Sequence, residues 1–404
     1  NSSNLLSTSI NNSGLIFGQN SLAISAANLT NNSLGRIYSL QDYQITIGNI
    51  LNNLGSITSA KNLTLSSNRL DNSGSIASAN NTNLFAAQLN NSGSITSGNN
   101  SNLSTTNLTN YGEISASDYL TINTSLDLTN SGNILANKAL RISANNLANA
   151  SGSAIASLED ALTLLVGNNL QNRGQLSSTT DLIINSNNLT NIGDILSKNK
   201  LTINTNKLVS NLGNFQSVSD FSLTSVSLVN SGAIKSFGKS AVISNSIDNQ
   251  TGGLIFTNLD STITSSSSFA NSGNIFTNSK LNLNLSLSNN NGDIFASSDL
   301  LLTLTGSLTN SGNLSSLGKL DINGNSNITN NNQILSNGIL SITAANLNNN
   351  GLIQSNGDLS FNLANLSNLN NIISGGEFDI IASENVLNGG TLKSADNFTI
   401  NAGS

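Results

Sequence analysis

The chain has 404 residues, of which 37% are hydrophobic and 8% are charged, and its formal net charge is −6. Histidine and cysteine are both missing, so the commonest general base, the strongest nucleophile and the usual transition-metal ligands are missing with them. Sparse positive charge argues against nucleic-acid binding, and the lack of an 18-residue apolar run argues against membrane insertion. We therefore expect no cofactor, no nucleic-acid partner and no membrane insertion.

A repeat of about 20 residues runs through the whole chain. Each copy resembles Asn-x-Gly-x-Ile-x-Ser, and its apolar residue two positions after the glycine serves as a marker. Successive markers are 19 to 21 residues apart, which predicts a solenoid whose coils bury their apolar edges by stacking. The 20 markers are Ile16, Ile37, Ile57, Ile76, Ile95, Ile114, Ile134, Ile155, Leu176, Ile195, Phe215, Ile234, Ile255, Ile275, Ile294, Leu314, Ile334, Ile353, Ile373 and Leu392.

Within each copy the apolar residues alternate with polar ones, as strands require. In one copy Ile57 is followed by Leu63 and Leu65, and then by Leu70. No stretch keeps a period of 3.6 residues, and the Asn and Gly content opposes helices. Three short faces per coil predict an all-β parallel β-helix of about 20 coils. It would form one continuous rod over residues 1–404, about 96 Å long if each coil rises by ~4.8 Å.

Three sequence columns accompany the marker. Two residues before it lies Gly in 17 of 20 copies, with Ser153, Asn332 and Asn371 as exceptions, which predicts a left-handed turn position. Four residues before the marker lies Asn in 16 of 20 copies, and Leu369 is one exception. Stacked Asn side chains can bond their own turn and each other. Two residues after the marker only small side chains occur, and alternation predicts that they point inward.

Charges alternate in sign in the turn after the marker over eight successive copies. Stacked neighbours lie close together, and like charges directly apposed would destabilise the stack. The alternation favours a ladder of exposed ion pairs that controls coil register over a ligand-binding stripe, with each pair contributing ~0 to 1 kcal/mol. The eight residues are Asp181, Lys200, Asp220, Lys239, Asp260, Lys280, Asp299 and Lys319.

Two pairs of acidic residues are the candidates for acid chemistry. Glu159 lies beside Asp160, and Glu377 lies close to Asp379. Both pairs fall at or beside a turn, and adjacent residues of a strand face opposite sides. We interpret them as solvated turn residues rather than as a catalytic or calcium site. We expect no catalytic residue and no metal site.

Aromatic side chains occupy an outward position directly after the marker. Phe256, Phe276 and Phe295 lie there in three consecutive copies, and Phe17 and Tyr38 lie there near the start. A stack of exposed aromatic rings is typical of a surface that contacts another chain, a glycan or a lipid. The alternative is ring stacking that only stabilises the local sheet.

The repeat unit resembles the filamentous haemagglutinin repeat. The resemblance is carried by Leu-Thr-Asn-Ser-Gly-Asn-Ile at 128–134 and Leu-Arg-Ile-Ser-Ala at 140–144. Sequences similar to the first of these recur at 89–95, 189–195 and 308–314. It covers essentially the whole chain. Such repeats form the right-handed β-helical shafts of exoproteins from two-partner secretion systems, including adhesins and contact-dependent growth inhibition effectors. The resemblance therefore implies an outer-membrane transporter as a partner and a secreted or cell-surface location.

These observations predict a non-catalytic rod that extends a distal module from a bacterial cell, with adhesive contacts to a host or neighbouring-cell surface. We expect the chain to be an internal segment of a longer protein. The competing hypothesis is a protein that binds or degrades polysaccharide along a β-helix face, although no copy has an insertion long enough to build a groove wall. A designed solenoid is a third interpretation, against which irregularities such as Leu369 argue.

Overall fold

The structure is a computed structural model that describes residues 3–403. Strands and turns account for the secondary structure of this range, which contains no helix. The predicted all-β parallel solenoid of about 20 turns is confirmed. The chain divides into two compact units, unit 1 at Asn1–Thr202 and unit 2 at Ile203–Ser404, and each contains ten of the 20 repeats.

Each coil consists of a short strand that contains the marker and a long strand that follows it. The short strands are Leu15–Gly18, Arg36–Ser39, Ser56–Ser59, Ser75–Ser78, Ser94–Ser97, Glu113–Ala116, Asn133–Ala136, Ala154–Ser157, Gln175–Ser178, Asp194–Ser197, Asn214–Ser217, Ala233–Ser236, Leu254–Thr257, Asn274–Thr277, Asp293–Ala296, Asn313–Ser316, Gln333–Ser336, Leu352–Ser355, Asn371–Ser374 and Thr391–Lys393. The long strands are Ser3–Asn12, Leu22–Asn31, Tyr43–Asn53, Leu63–Asn72, Thr82–Asn91, Ser101–Asn110, Leu120–Thr124 with Asp127–Asn130, Leu140–Ala144 with Asn146–Asn149, Leu162–Asn172, Leu182–Asn191, Leu201–Thr205 with Leu208–Asn211, Phe221–Asn230, Ser240–Asn249, Ser261–Asn271, Leu281–Asn290, Leu300–Leu304 with Leu308–Asn310, Leu320–Gly324 with Asn327–Asn330, Leu340–Asn349, Leu359–Asn368, Phe378–Asn388 and Phe398–Ala402.

The long strand bends once and so covers two faces of its coil. Strand Ser101–Asn110 pairs in parallel with Thr82–Asn91, but the pairing skips Thr106 and Ala87 at the bend. In several coils the strand is interrupted at this point, as between Leu120–Thr124 and Asp127–Asn130. Together with the short strand, the two arms give the three faces that the sequence predicts.

Inward side chains of the three faces form the core. In one coil Ile95, Leu103 and Leu108 are at most 1% exposed. Each pairs in register with the equivalent residue of the next coil, as Ile95 does with Ile114. Full burial of an aliphatic side chain contributes about 1.5 to 3 kcal/mol, so stacking supplies the apolar burial that a single coil lacks.

A buried ladder of asparagine side chains runs through each unit. Each Nδ2 donates to the Oδ1 of the Asn in the next coil over 2.7–2.9 Å, with nine such bonds in each unit. In unit 1 the ladder contains Asn12, Asn31, Asn53, Asn72, Asn91, Asn110, Asn130, Asn149, Asn172 and Asn191. In unit 2 it contains Asn211, Asn230, Asn249, Asn271, Asn290, Asn310, Asn330, Asn349, Asn368 and Asn388.

The ladder corrects the sequence columns, because every coil contributes an Asn. In three coils the turn is two residues longer, so Asn31, Asn149 and Asn249 lie six residues before the marker. The fourth exception came from a wrong marker. Ile372, not Ile373, pairs with Ile353 and is fully buried. Asn368 therefore occupies the column to which the sequence analysis assigned Leu369, and that apparent irregularity disappears.

The prediction that the glycine column adopts a left-handed conformation is wrong. Within residues 3–403 only Gly152 and Gly252 have a positive φ, and neither belongs to the column. The physical reason for glycine is close stacking: a Cβ at Gly74 would overlap the carbonyl oxygen of Gly55 in the preceding coil. The column is therefore required by the distance between coils and not by backbone conformation.

The small residues two positions after the marker point inward, as predicted. Ser97 is 4% exposed, and its hydroxyl lies 2.6 Å from the carbonyl oxygen of Asn80 and 2.7 Å from that of Asn100. One of these carbonyls belongs to the turn of its own coil and the other to the preceding coil. The serine column thus gives a second hydrogen bond to turn carbonyls that already accept one from a backbone N–H of a neighbouring coil, as Asn80 does from Asn99 at 2.8 Å.

Candidate functional site

The outward aromatic column lies on the short strands of unit 2. Phe256 pairs in register with Phe276, and Phe276 pairs with Phe295, so the three side chains leave the same face in adjacent coils. All three are half-buried. The rings of Phe276 and Phe295 meet edge to face, with centroids 6.3 Å apart.

A fourth ring, missed by the sequence analysis, extends this column. Phe237 lies in the turn after the short strand Ala233–Ser236, is 45% exposed, and packs edge to face on Phe256 at 6.2 Å. It lies three residues after its marker, in the turn beyond the end of the strand, where the alternation of a strand no longer fixes the direction of a side chain. We call Phe237, Phe256, Phe276 and Phe295 the aromatic patch.

The surroundings of the aromatic patch differ at its two ends. In the outward column, Lys235 pairs with Phe256 at one end and Ser315 pairs with Phe295 at the other. In unit 1 the same outward column carries Phe17 and Tyr38, whose rings stack at 5.8 Å. The rings of the aromatic patch therefore meet in pairs across coils, Phe237 with Phe256 and Phe276 with Phe295, while parts of their surfaces remain exposed.

The aspartates of the charge column bind backbone groups of the next coil. Asp220 Oδ1 accepts a hydrogen bond from the backbone N–H of Lys239 at 2.9 Å, and Asp299 Oδ1 accepts one from that of Lys319 at 2.9 Å. Asp181 accepts from the N–H of Lys200 at 3.2 Å. We call these contacts aspartate clasps. Nearer the start, the side chains of Asp42, Asn62 and Asn81 make the same contact with the backbone N–H of the coil that follows each.

Side-chain ion pairs occur beside this column. Lys319 Nζ lies 2.9 Å from Asp321 Oδ2 within its own coil, and Lys138 Nζ lies 2.6 Å from Asp118 Oδ1 of the preceding coil. The hydrogen bond to Asp118 raises the pKa of Lys138. The hydroxyl of Ser279 donates to Asp260 Oδ1 at 2.7 Å.

That hydroxyl is the main reason why the pKa of Asp260 lies below its ordinary value. The backbone N–H of Lys280 and the charges of Lys239 and Lys280 lower this pKa further, whereas partial burial opposes them. Asp260 thus responds to a lysine in each neighbouring coil of unit 2.

The acidic pairs do not form a cluster of ligands. Glu159 and Asp160 are exposed in their turn, and a carboxylate oxygen of Asp160 accepts from the N–H of Ala161 at 2.8 Å. Glu377 Oε1 accepts from Asn397 Nδ2 at 3.1 Å on the exposed surface. Within residues 3–403 no group of three or more acidic side chains is placed to hold a metal ion. This range also lacks a helix long and apolar enough to cross a membrane.

Stacked coils, a buried asparagine ladder and outward-facing side chains define the class: this is a repeat protein built as a β-solenoid. The haemagglutinin repeat family matches the chain over residues 2–37, 18–85, 76–118, 109–174, 156–193, 174–258, 242–312, 299–362 and 354–404. Because these overlapping matches tile the described chain, the protein belongs to the haemagglutinin repeat family. No curated protein and no solved structure matches it.

Membership of this family defines the biological setting in general terms. Haemagglutinin repeat proteins are secreted or surface-exposed, and the family implies two-partner secretion through an outer-membrane transporter. Repeats of this kind fit the rod-like shaft of a secreted, adhesin-type protein.

Proposed function

We propose that this chain is a non-catalytic shaft of a bacterial exoprotein, which extends a distal module from the cell and contributes adhesive contacts of its own. The observation that carries the proposal is the uniform stack. Ten asparagines join ten coils in each unit without a missing rung. A continuous ladder of buried hydrogen bonds resists bending, because a bend that separates neighbouring coils at the ladder must stretch and break these bonds.

We also propose that residues 1–404 form one continuous rod. The period supports this, since Ile195 and Phe215 are 20 residues apart, within the 19 to 21 residues that separate neighbouring markers elsewhere. Deleting residues 73–110 rejoins equivalent positions and removes two coils. The maximum dimension in small-angle X-ray scattering should then fall by about 10 Å. An unchanged dimension, or a collapse to a compact particle, would contradict a continuous rod.

An outer-membrane transporter is the expected partner during export. Low charge and small side chains suit passage of the unfolded chain through a pore, and coil-by-coil folding outside would then draw it forward. Ile195 is fully buried, so Ile195→Asp should interrupt folding in mid-rod and reduce secretion of the segment that follows. Unchanged secretion of that segment would show that folding does not drive export.

The aromatic patch is the proposed adhesive surface. Changing Phe237, Phe256, Phe276 and Phe295 to Ser should remove most binding to cells and to a glycan array, while the fold is kept because none of the four lies in the core. Phe85→Ser is the matched control, because Phe85 is 48% exposed on unit 1. Equal binding by the two variants would leave the shaft a passive spacer.

We propose that the charge column controls coil register. Lys239→Asp places three acidic residues in successive coils and should lower the melting temperature more than Lys239→Ala does. Asp220→Asn keeps an oxygen for the N–H of Lys239, so the aspartate clasp should survive this change. Equal effects of the two Lys239 variants would refute electrostatic register control and leave only the clasps.

A further inference from the structure

A polar groove lies on the outer surface of unit 1, directly after the bend of the long strands. It consists of two adjoining hollows of about 350 and 370 Å³ that share Asp127 and Thr129. The groove begins near Gln88 and ends near Gln171. No insertion builds it, so the long loop that the sequence analysis considered necessary for a groove wall is not needed.

Hydrogen bonds between coils hold the polar groups of the groove in place. The backbone N–H of Asp127 donates to Asn107 Oδ1 at 3.3 Å, and Asn146 Nδ2 donates to Asp127 Oδ1 at 2.9 Å. Side chains fixed in this way lose little further conformational entropy when a ligand binds. Asn107, Asp127 and Asn146 are therefore preorganised at the centre of the groove.

Other groups in the groove have free hydrogen-bonding capacity. The hydroxyls of Thr109 and Thr129 and the side-chain amides of Gln88 and Gln171 make no intramolecular hydrogen bond within residues 3–403. The two threonines lie side by side in register, one on each of two adjacent coils. Donors and acceptors thus follow one another at the coil spacing of ~4.8 Å. Ala148 interrupts this column between Thr129 and Gln171.

The chemistry of the lining selects the class of ligand. Asp127 is the sole charged residue of the lining, and the lining contains neither Lys nor Arg, so an acidic polymer would be repelled and not neutralised. Apart from Asp127 and the methyl group of Ala148, the outward side chains are amides and hydroxyls, and they form no deep apolar pocket of the kind that anchors a peptide side chain. Hydroxyl groups, which both donate and accept, match this surface best.

From these observations we infer that the groove binds a linear, neutral, hydroxyl-rich polysaccharide along the axis of the coils. The row from Gln88 to Asn169 covers four coil steps, or about 19 Å, so several linked sugar rings would contact it together. Each ring contributes little by itself, and repetition supplies the affinity. This site is separate from the aromatic patch, which belongs to unit 2.

The test uses the intact chain and isothermal titration calorimetry with a panel of neutral linear hexasaccharides that includes cellohexaose and maltohexaose. Hyaluronan hexasaccharide and a Gly-Ser decapeptide are the comparison ligands. Thr129→Trp fills the centre of the groove and should weaken binding by about tenfold or more. Thr329→Trp is the matched control, because Thr329 is half-buried in the same column of unit 2 but does not line the groove.

Saturable binding of a neutral hexasaccharide that Thr129→Trp weakens and Thr329→Trp leaves within about twofold supports the site. The four-Phe variant of the aromatic patch should bind that sugar as the unchanged chain does, which separates this inference from the proposed adhesive surface. Three results would overturn the inference: no binding to any neutral hexasaccharide, tighter binding of hyaluronan or of the decapeptide, or equal loss in the two Trp variants. Melting temperatures of both variants verify that each remains folded.

Discussion

Replacing Asn91 with Ala tests whether the asparagine ladder stabilises the stack. Asn91 is fully buried, and its Nδ2 donates to Asn110 Oδ1 at 2.8 Å and to the carbonyl oxygen of Glu113 at 2.9 Å. Its own Oδ1 accepts from Asn72 Nδ2 at 2.8 Å. The substitution removes the bonds to these two acceptors and a longer one, at 3.3 Å, to the carbonyl oxygen of Gly93. It also takes away one acceptor of Asn72, although Asn72 keeps a bond to the carbonyl oxygen of Ser94 at 3.0 Å.

The expected cost follows from these contacts. A buried polar group that loses its partner costs about 1 to 3 kcal/mol, so two such groups predict a loss of about 2 to 6 kcal/mol. Asn91→Asp should cost still more, because a second oxygen would then face Asn110 Oδ1 across the same 2.8 Å and the carboxylate would be buried without a cation. Asn102→Ala is the control, because Asn102 is exposed and makes its 3.1 Å bond to Asn83 at the surface.

Native-state hydrogen exchange is the suitable assay, because repeat proteins open locally and do not unfold in one cooperative step. A loss of about 2.8 kcal/mol should accelerate exchange roughly 100-fold in the amides of strands Leu63–Asn72 to Ser101–Asn110. Asn102→Ala should change exchange there by less than about threefold. Comparable exchange in the Asn91→Ala and Asn102→Ala proteins would refute the view that the buried ladder contributes to stability.

Two further predictions concern close stacking and pH. Gly74→Ala should lower the melting temperature markedly, because its Cβ would overlap the preceding coil. Gly48→Ala is the control: its Cβ would meet its nearest neighbour at 3.8 Å, so the melting temperature should stay unchanged or rise slightly. Differential scanning calorimetry measures both melting temperatures. Ser279→Ala should raise the pKa of Asp260 in an NMR titration. Because the pKa of Asp260 is lowered in the folded state, its ionised carboxylate stabilises the fold at pH values above the unfolded-state pKa, and this stabilisation is lost as the pH falls through the folded-state pKa. Ser279→Ala should therefore reduce the free energy of unfolding at neutral pH. On acidification the variant should lose less of its free energy of unfolding than the unchanged chain does. An unshifted Asp260 titration would contradict this assignment.

The sequence by itself determined the period, the strands and the inward positions. Those features depend on alternation along one strand, and Ile57, Leu63 and Leu65 show it without knowledge of any neighbour. A fixed number of residues before the marker did not identify the asparagine column in the coils whose turn is longer. The longer turns before Ile155 and Ile255 hid Asn149 and Asn249 from the asparagine column, although their side chains occupy the same place as all the others.

Tertiary structure decided the features that depend on distances between coils. Glycine at position 74 is required because the carbonyl of Gly55 lies against it, not because of its own φ. Phe237 joins the aromatic patch across a turn, and Thr109 and Thr129 meet in a groove although they are 20 residues apart. The alternation of apolar and polar residues along a strand indicates whether a side chain points inward or outward. Only the stacked coils determine which side chains then lie within contact of one another, because that depends on the spacing and lateral position of neighbouring coils.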